Sequence, residues 1–99
     1  MVKNFFGKRV IVRGDRSGVF FGTLVAKEGK EVKLEDCRRL WYWDGAASIS
    51  QIAVDGVSKP ENCNFTVPVS EIIITDAIEI ILCSDKSIKC IEGVAVWKK

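Results

Sequence analysis

Hydrophobic and polar positions alternate from Lys8 to Arg13, with Val10 and Val12 on one side of an extended chain and Arg9, Ile11 and Arg13 on the other. A period of two marks a strand, because successive side chains leave a pleated backbone on opposite faces. Gly14-Asp-Arg-Ser-Gly18 follows as a loop whose two glycines can supply positive φ. Val19 to Lys27 resumes with β-branched and aromatic residues. Its interruption at Gly22 predicts a bulge or sharp bend in a curved strand. Lys27-Glu-Gly-Lys30 predicts a hairpin turn, and Glu31 to Glu35 a third strand with Val32 and Leu34 inward.

The second half is less regular. Alternation through Arg38-Arg-Leu-Trp-Tyr-Trp43 puts Arg38, Leu40 and Tyr42 on one face and Arg39, Trp41 and Trp43 on the other, and neither reads as a clean core face. Ala46, Ile49, Ile52 and Ala53 have helical spacing, which predicts a short helix over Ala46–Val54, with a strand as the competing assignment. Val57 to Asn64 has turn composition and Phe65 to Val69 is extended. The isoleucine-rich run Glu71 to Cys83 predicts two strands bent at Thr75-Asp76-Ala77. Ser84 can cap a helix over Asp85–Glu92, with Ile88 and Ile91 inward and Gly93 as its stop, before Val94 to Trp97 ends as a strand. About six short strands and one or two short helices predict a mainly β fold, a small and strongly bent antiparallel barrel of SH3/Sm-like type, with residues 1–99 as a single domain.

Ninety-nine residues allow one core and exclude separate cofactor and substrate lobes. The net charge of +2 is too small for a sequence-indifferent nucleic-acid coat. It conceals a polarity: Met1 to Trp43 holds ten basic and five acidic residues, Asp44 to Lys99 five basic and eight acidic. Such a chain can offer a basic face to an anion or pair with copies of itself, so a homo-oligomer is expected. No stretch is long and apolar enough to span a membrane, and the first residues lack a secretory core, so a cytoplasmic location is expected. Cys37, Cys63, Cys83 and Cys90 form no C-x-x-C pair and there is no histidine, so free buried thiols are expected rather than a metal site. The missing histidine also removes the usual neutral-pH base; the expectation is a binding protein, not an enzyme, with no cofactor.

Three constellations could bind a ligand. Arg13, Arg16 and Ser17 in the first loop offer guanidinium forks and a hydroxyl suited to phosphate, or are simply a solvated hairpin. Arg38, Arg39, Trp41, Tyr42 and Trp43 form the densest aromatic and basic interleaving, able to stack a base and meet its phosphate, or to fill core and subunit interface. Ser48 and Ser50 near a helix start, with Lys59 and Asn62 in the turn beyond it, could add polar contacts or a lid over an anion, or be surface polarity and a rigid turn.

Ser17-Gly-Val-Phe-Phe-Gly-Thr-Leu24, Val32-Lys-Leu34, Glu35-Asp36-Cys37 and Ile91-Glu-Gly93 resemble the two signatures of the Sm-like barrels. That resemblance implies a barrel and ring assembly. Glu92 stands where the family has arginine, and no asparagine stands near Val32, so it does not extend to the RNA-binding residues. A longer stretch of the chain is similar to a family of small uncharacterised bacteriophage and prophage proteins. The carrying segments are Val12 to Leu24, Arg38 to Ser48, Val54 to Cys63 and Phe65 to Val69. Phage proteins of this size and type include oligomeric sponges that capture nucleotide messengers of antiphage defence. The analogy implies a host-cytoplasmic protein that sequesters a cyclic oligonucleotide or ADP-ribose-type signal. The alternatives are an Sm-like ring on single-stranded nucleic acid and a phage structural or assembly protein without a small ligand.

Overall fold

A computed structural model describes all of Met1–Lys99. After a 3-10 turn over Val2–Phe5 come β1 (Arg9–Gly14), β2 (Val19–Glu28), β3 (Glu31–Tyr42), α1 (Ile49–Asp55), a 3-10 turn over Pro60–Asn62, β4 (Asn64–Phe65), β5 (Val69–Ile74), β6 (Ala77–Leu82) and α2 (Asp85–Gly93). All strand pairs are antiparallel. The order is β4-β3-β2-β1-β6, with β5 also on β3. A flat sheet would hold β5 and β6 about 19 Å apart, at roughly 4.8 Å per neighbour. Only Thr75 and Asp76 separate the two strands, and three peptide links reach about 11 Å at most. The sheet therefore curls, and Ala77 N–H bonds the Lys30 carbonyl at the tip of the β2–β3 hairpin.

The curl does not complete a barrel. No ladder joins β5 to β6, so the mainly β fold is a curled, open six-stranded antiparallel sheet with two helices. Val10, Val12, Phe20, Leu24 and Leu34 fill one side of it, while Ile11, Phe21, Leu40 and Phe65 meet α1 and α2 on the other. Both faces of the central strands are thus buried, which is why Ile11 is as solvent-free as its neighbours Val10 and Val12.

Two predicted strands, Glu31–Glu35 and Arg38–Trp43, are one strand with a bulge. Asp36 sits at φ 49°, and the register on β2 shifts around it, from Thr23–Glu35 to Phe21–Arg38, so that β3 spends one residue more than β2. An extra residue reverses the alternation. Val32, Leu34 and Cys37 therefore face one core, while Leu40 reaches the other. Gly22 on β2 lies opposite, where a Cβ would come 3.1 Å from Cys37 Cβ. β4 pairs β3 at Leu40–Phe65 and Tyr42–Asn64, with a register shift between the two, and is separated from β5, which begins at Cys37–Val69, by Thr66–Pro68. Pro68 has no N–H to give to the ladder. The predicted extended run over Phe65–Val69 is broken there, and Val94–Trp97 makes only a single parallel bridge, Val96 to Phe65.

The predicted Ala46–Val54 helix begins three residues later. Ser48 is its cap, accepting from Gln51 N–H at 3.1 Å. Ser84 caps α2 as expected, and its own amide and hydroxyl bond the Ala53 and Val54 carbonyls at the end of α1. Ser87 adds a buried 2.6 Å bond to the Ile52 carbonyl. Each helix thus satisfies orphan groups of the other. The four thiols are unpaired. Burial pushes Cys37 up to about 12 and Cys83 up to about 11, so both stay protonated and unreactive. No helix is long and apolar enough to cross a membrane.

Arg38 is 3% exposed and spends its guanidinium on backbone. Nε donates to the Thr66 carbonyl at 2.9 Å. Nη1 donates to Ile91 and Val94 at 2.8 and 2.9 Å, and Nη2 to Phe65 and Ala95 at 3.1 and 3.4 Å. The carbonyls at the C-terminal end of α2 carry partial negative charge, which offsets burial of a cation with no carboxylate partner.

At the opposite corner, Asp76 accepts from Arg16 and Ser17 amides at 2.8 and 3.0 Å and from Ser17 Oγ at 2.5 Å. The Ser17 hydroxyl, then the Arg16 amide, hold the Asp76 carboxyl below its ordinary range.

Arg38→Met keeps the stem but leaves the five carbonyls without their donor, and is expected to cost about 3–5 kcal/mol of unfolding free energy in urea melts. A loss under 1 kcal/mol would show that the carbonyls find water instead. A carboxyl depressed on folding stabilises above the unfolded carboxylate range, and that contribution disappears as pH falls through the folded value. Asp76→Asn is therefore expected to lower the melting temperature at pH 7 and to narrow its gap to the parent protein as the pH drops below about 4. A gap constant with pH would remove Asp76 from the acid response.

Candidate functional site

The segments that flank β3 at its C-terminal end build an aromatic and basic surface. Trp41 is the residue beyond Leu40, and its ring points away from both cores, 61% exposed. The tail after α2 is drawn along β4 by the Phe65–Val96 bridge and by Trp97 N–H on the Phe65 carbonyl at 2.9 Å. That places Trp97 on Trp41, with ring centroids 5.1 Å apart and planes 28° from parallel. Trp97 remains 45% exposed, so the pair leaves aromatic surface to solvent. Lys98 and Lys99 follow it, and neither forms an ion pair.

Arg39 stands two residues before Trp41 on β3. Its backbone exchanges hydrogen bonds with Thr66, and its guanidinium sits 4.7 Å over the Phe20 ring. The side chain makes no hydrogen bond or ion pair to the protein, so the ring fixes the plane of a fork whose N–H edges are uncommitted. Beneath it is a hollow of about 260 Å³ lined by Phe20, Cys37, Arg39, Thr66, Val67, Val69 and Ile72. A second hollow, about 300 Å³, is lined by Thr66, Val67, Trp97, Lys98 and Lys99. Thr66 and Val67 belong to both.

The structure divides the other sequence-selected residues. Arg38, expected to meet phosphate, is corrected to a structural residue, since its donors are consumed by backbone carbonyls. Trp43 lies past the end of β3 and is half-buried against the helix-side core, so it does not share Trp41's exposed surface as strand alternation predicted. Tyr42 is exposed beside Trp41 in sequence and pairs with Asn64. Arg13 forms a 2.9 Å ion pair with Glu79. The Arg16 and Ser17 amides that could cradle a phosphate are taken by Asp76, leaving the Arg16 side chain exposed on the surface. Ser48 is spent as a cap and Ser50 is exposed on α1. Asn62 donates to Asp44 Oδ2 at 3.0 Å, holding its turn against the loop between β3 and α1, while the Lys59 side chain is free at the surface.

Thr66, Val67, Trp97, Lys98 and Lys99 were not selected from the sequence. The signal was present in Trp97-Lys-Lys99, an aromatic next to two cations like the Arg38–Trp43 run, but nothing local says that the tail returns to β3.

No curated protein matches the chain. A family described as a domain of unknown function, DUF6948, matches residues 7–91, from the start of β1 to the last turn of α2, and Trp97 lies beyond the matched span. A match across that much of the fold shows that the chain belongs to the DUF6948 family.

Proposed function

We propose that this protein binds an anionic nucleotide on the Trp41–Trp97 surface, with stacking from the indoles and phosphate contacts from Arg39, Lys98 and Lys99. The observation that carries the reading is the half-exposed tryptophan pair flanked by cations with no carboxylate partners. Exposed indoles attract a flat apolar partner, and uncompensated cations attract an anion; a nucleotide combines the two. Arg16 and Lys59, also exposed and free, add to the positive field but stand outside this surface. Binding without turnover suits sequestration, since a sponge works by affinity and stoichiometry alone. In the phage setting that the sequence resemblance implies, the ligand is a cyclic oligonucleotide or ADP-ribose-type immune signal held in the host cytoplasm. The open β5 and β6 edges support assembly of several copies, because unpaired strand edges are templates for another chain.

A second reading, binding of single-stranded nucleic acid, is favoured by one observation. The hollows are open to solvent along the surface rather than enclosed, so a longer strand has room to continue.

Thermal-shift and titration measurements against cyclic and linear nucleotides, cyclic ADP-ribose isomers and an oligonucleotide, at two salt concentrations, separate these. A small nucleotide is expected to raise the melting temperature, and Trp41→Ala or Trp97→Ala to weaken its binding by about 1–3 kcal/mol in the folded protein. A strongly salt-dependent shift with the oligonucleotide alone would support the second reading. Silence with every ligand would overturn both and leave a structural or assembly role.

A further inference from the structure

The two hollows share a wall, and their chemistry differs on its two sides. On one side Phe20, Cys37, Val69 and Ile72 make a floor of apolar side chains under a single guanidinium. Cys37 adds no charge to that floor, because burial keeps its thiol protonated. On the other side, Trp97 offers a ring face and Lys98 and Lys99 two ammonium groups. Small-molecule sites span about 300–1,000 Å³. Volumes of about 260 and 300 Å³ put each hollow at or below the lower limit, and Thr66 and Val67 line both, so a ligand larger than either has to lie across that wall. The cations are also split: Arg39 serves one hollow and the lysines the other, so an anion near the shared wall has donors from both sides.

We propose that the physiological ligand spans both hollows and is a dinucleotide: one base against the Trp41–Trp97 pair, the second moiety in the Phe20–Ile72 hollow, and the phosphates between Arg39 and the lysines. This rests on the nucleotide reading above and narrows it to a ligand class. The Phe20 ring is beneath the Arg39 guanidinium rather than open for stacking, so the second base packs on the exposed side of that cation. Arginine planes accept bases in this way, and the guanidinium edge remains available to a phosphate oxygen. Thr66 reinforces the geometry without competing for the ligand, since its hydroxyl is already engaged with the Arg39 backbone at 2.9 Å. Hydrogen bonds between the Arg39 backbone and Thr66 tie the residue that carries the cation to the wall that the two hollows share.

The test is calorimetric titration of the full chain with matched probes: AMP and GMP, the linear dinucleotides pApA and pGpG, cyclic di-AMP and cyclic di-GMP, and the tetranucleotides of each base. A second stacked base adds about 5- to 150-fold in affinity, and at least one dinucleotide is expected to exceed its mononucleotide by that factor. Arg39→Ala should erase the advantage of the dinucleotide over the mononucleotide, and Trp97→Ala should weaken both by the stacking factor. Val67→Asp, which puts a carboxylate on the shared wall, is the second variant; it should abolish dinucleotide binding with the melting temperature unchanged. Equal binding of mononucleotide and dinucleotide overturns the two-hollow inference and leaves the nucleotide reading standing. Affinity that keeps rising to the tetranucleotide overturns it in favour of strand binding. Failure of every probe to bind removes the nucleotide reading and this inference together.

Discussion

The fold depends on one buried cation. Arg38 lies over the Phe65 ring, and its guanidinium joins five carbonyls from three places in the sequence: Phe65 and Thr66 beside β3, Ile91 in α2, and Val94 and Ala95 in the tail. A charge taken from water is costly unless its hydrogen-bonding positions are filled, so the surrounding segments are fixed by the need to fill them. Burial also lowers its pKa, yet guanidinium remains charged at any physiological pH, which makes the demand permanent.

The surface with ligand chemistry follows from that constraint. The carbonyls held by Arg38 belong to the residues just before Val96, and Val96 bridges to Phe65. Trp97 is thereby delivered onto Trp41, and the two lysines after it line a hollow with Thr66 and Val67. Adjacent arginines therefore have opposite duties. Arg38 faces inward and is saturated; Arg39, one residue on and across the pleat, lies on Phe20 with its donors free. The bulge at Asp36 sets this division, since shifting the alternation by one residue exchanges the faces of every later side chain on β3. A basic loop elsewhere carries no equivalent capacity. The amides around Arg16 and Ser17 look like a phosphate cradle in sequence, but Asp76 already fills it and uses it to pin the β1–β2 loop to the β5–β6 turn.

Much of the local structure was legible in the residues. The hairpin at Gly29, the bend at Thr75–Asp76, the Ser84 cap and the two-helix, six-strand inventory follow from turn chemistry, β-branched runs and capping preferences that act within a few residues. The aromatic and basic run at Arg38–Trp43 also stands out in the sequence, because neither of its faces reads as a core face. What misled was the assumption of uninterrupted alternation. Asp36 adopts positive φ without being glycine, so no residue type announces the bulge, and Trp43 then falls outside the strand that would have aligned it with Trp41.

The sequence by itself determined which segments extend, which turn and which cap, since those choices are decided by backbone sterics and nearest-neighbour hydrogen bonds. Only the tertiary structure decided which arginine is buried, that the sheet stays open between β5 and β6, and that the tail closes on β3 to stack Trp97 on Trp41. Those outcomes rest on contacts between residues 27 to 57 positions apart, where pairing is selected by competition for buried carbonyls and core volume. No local pattern encodes that competition; it is resolved when the whole chain packs.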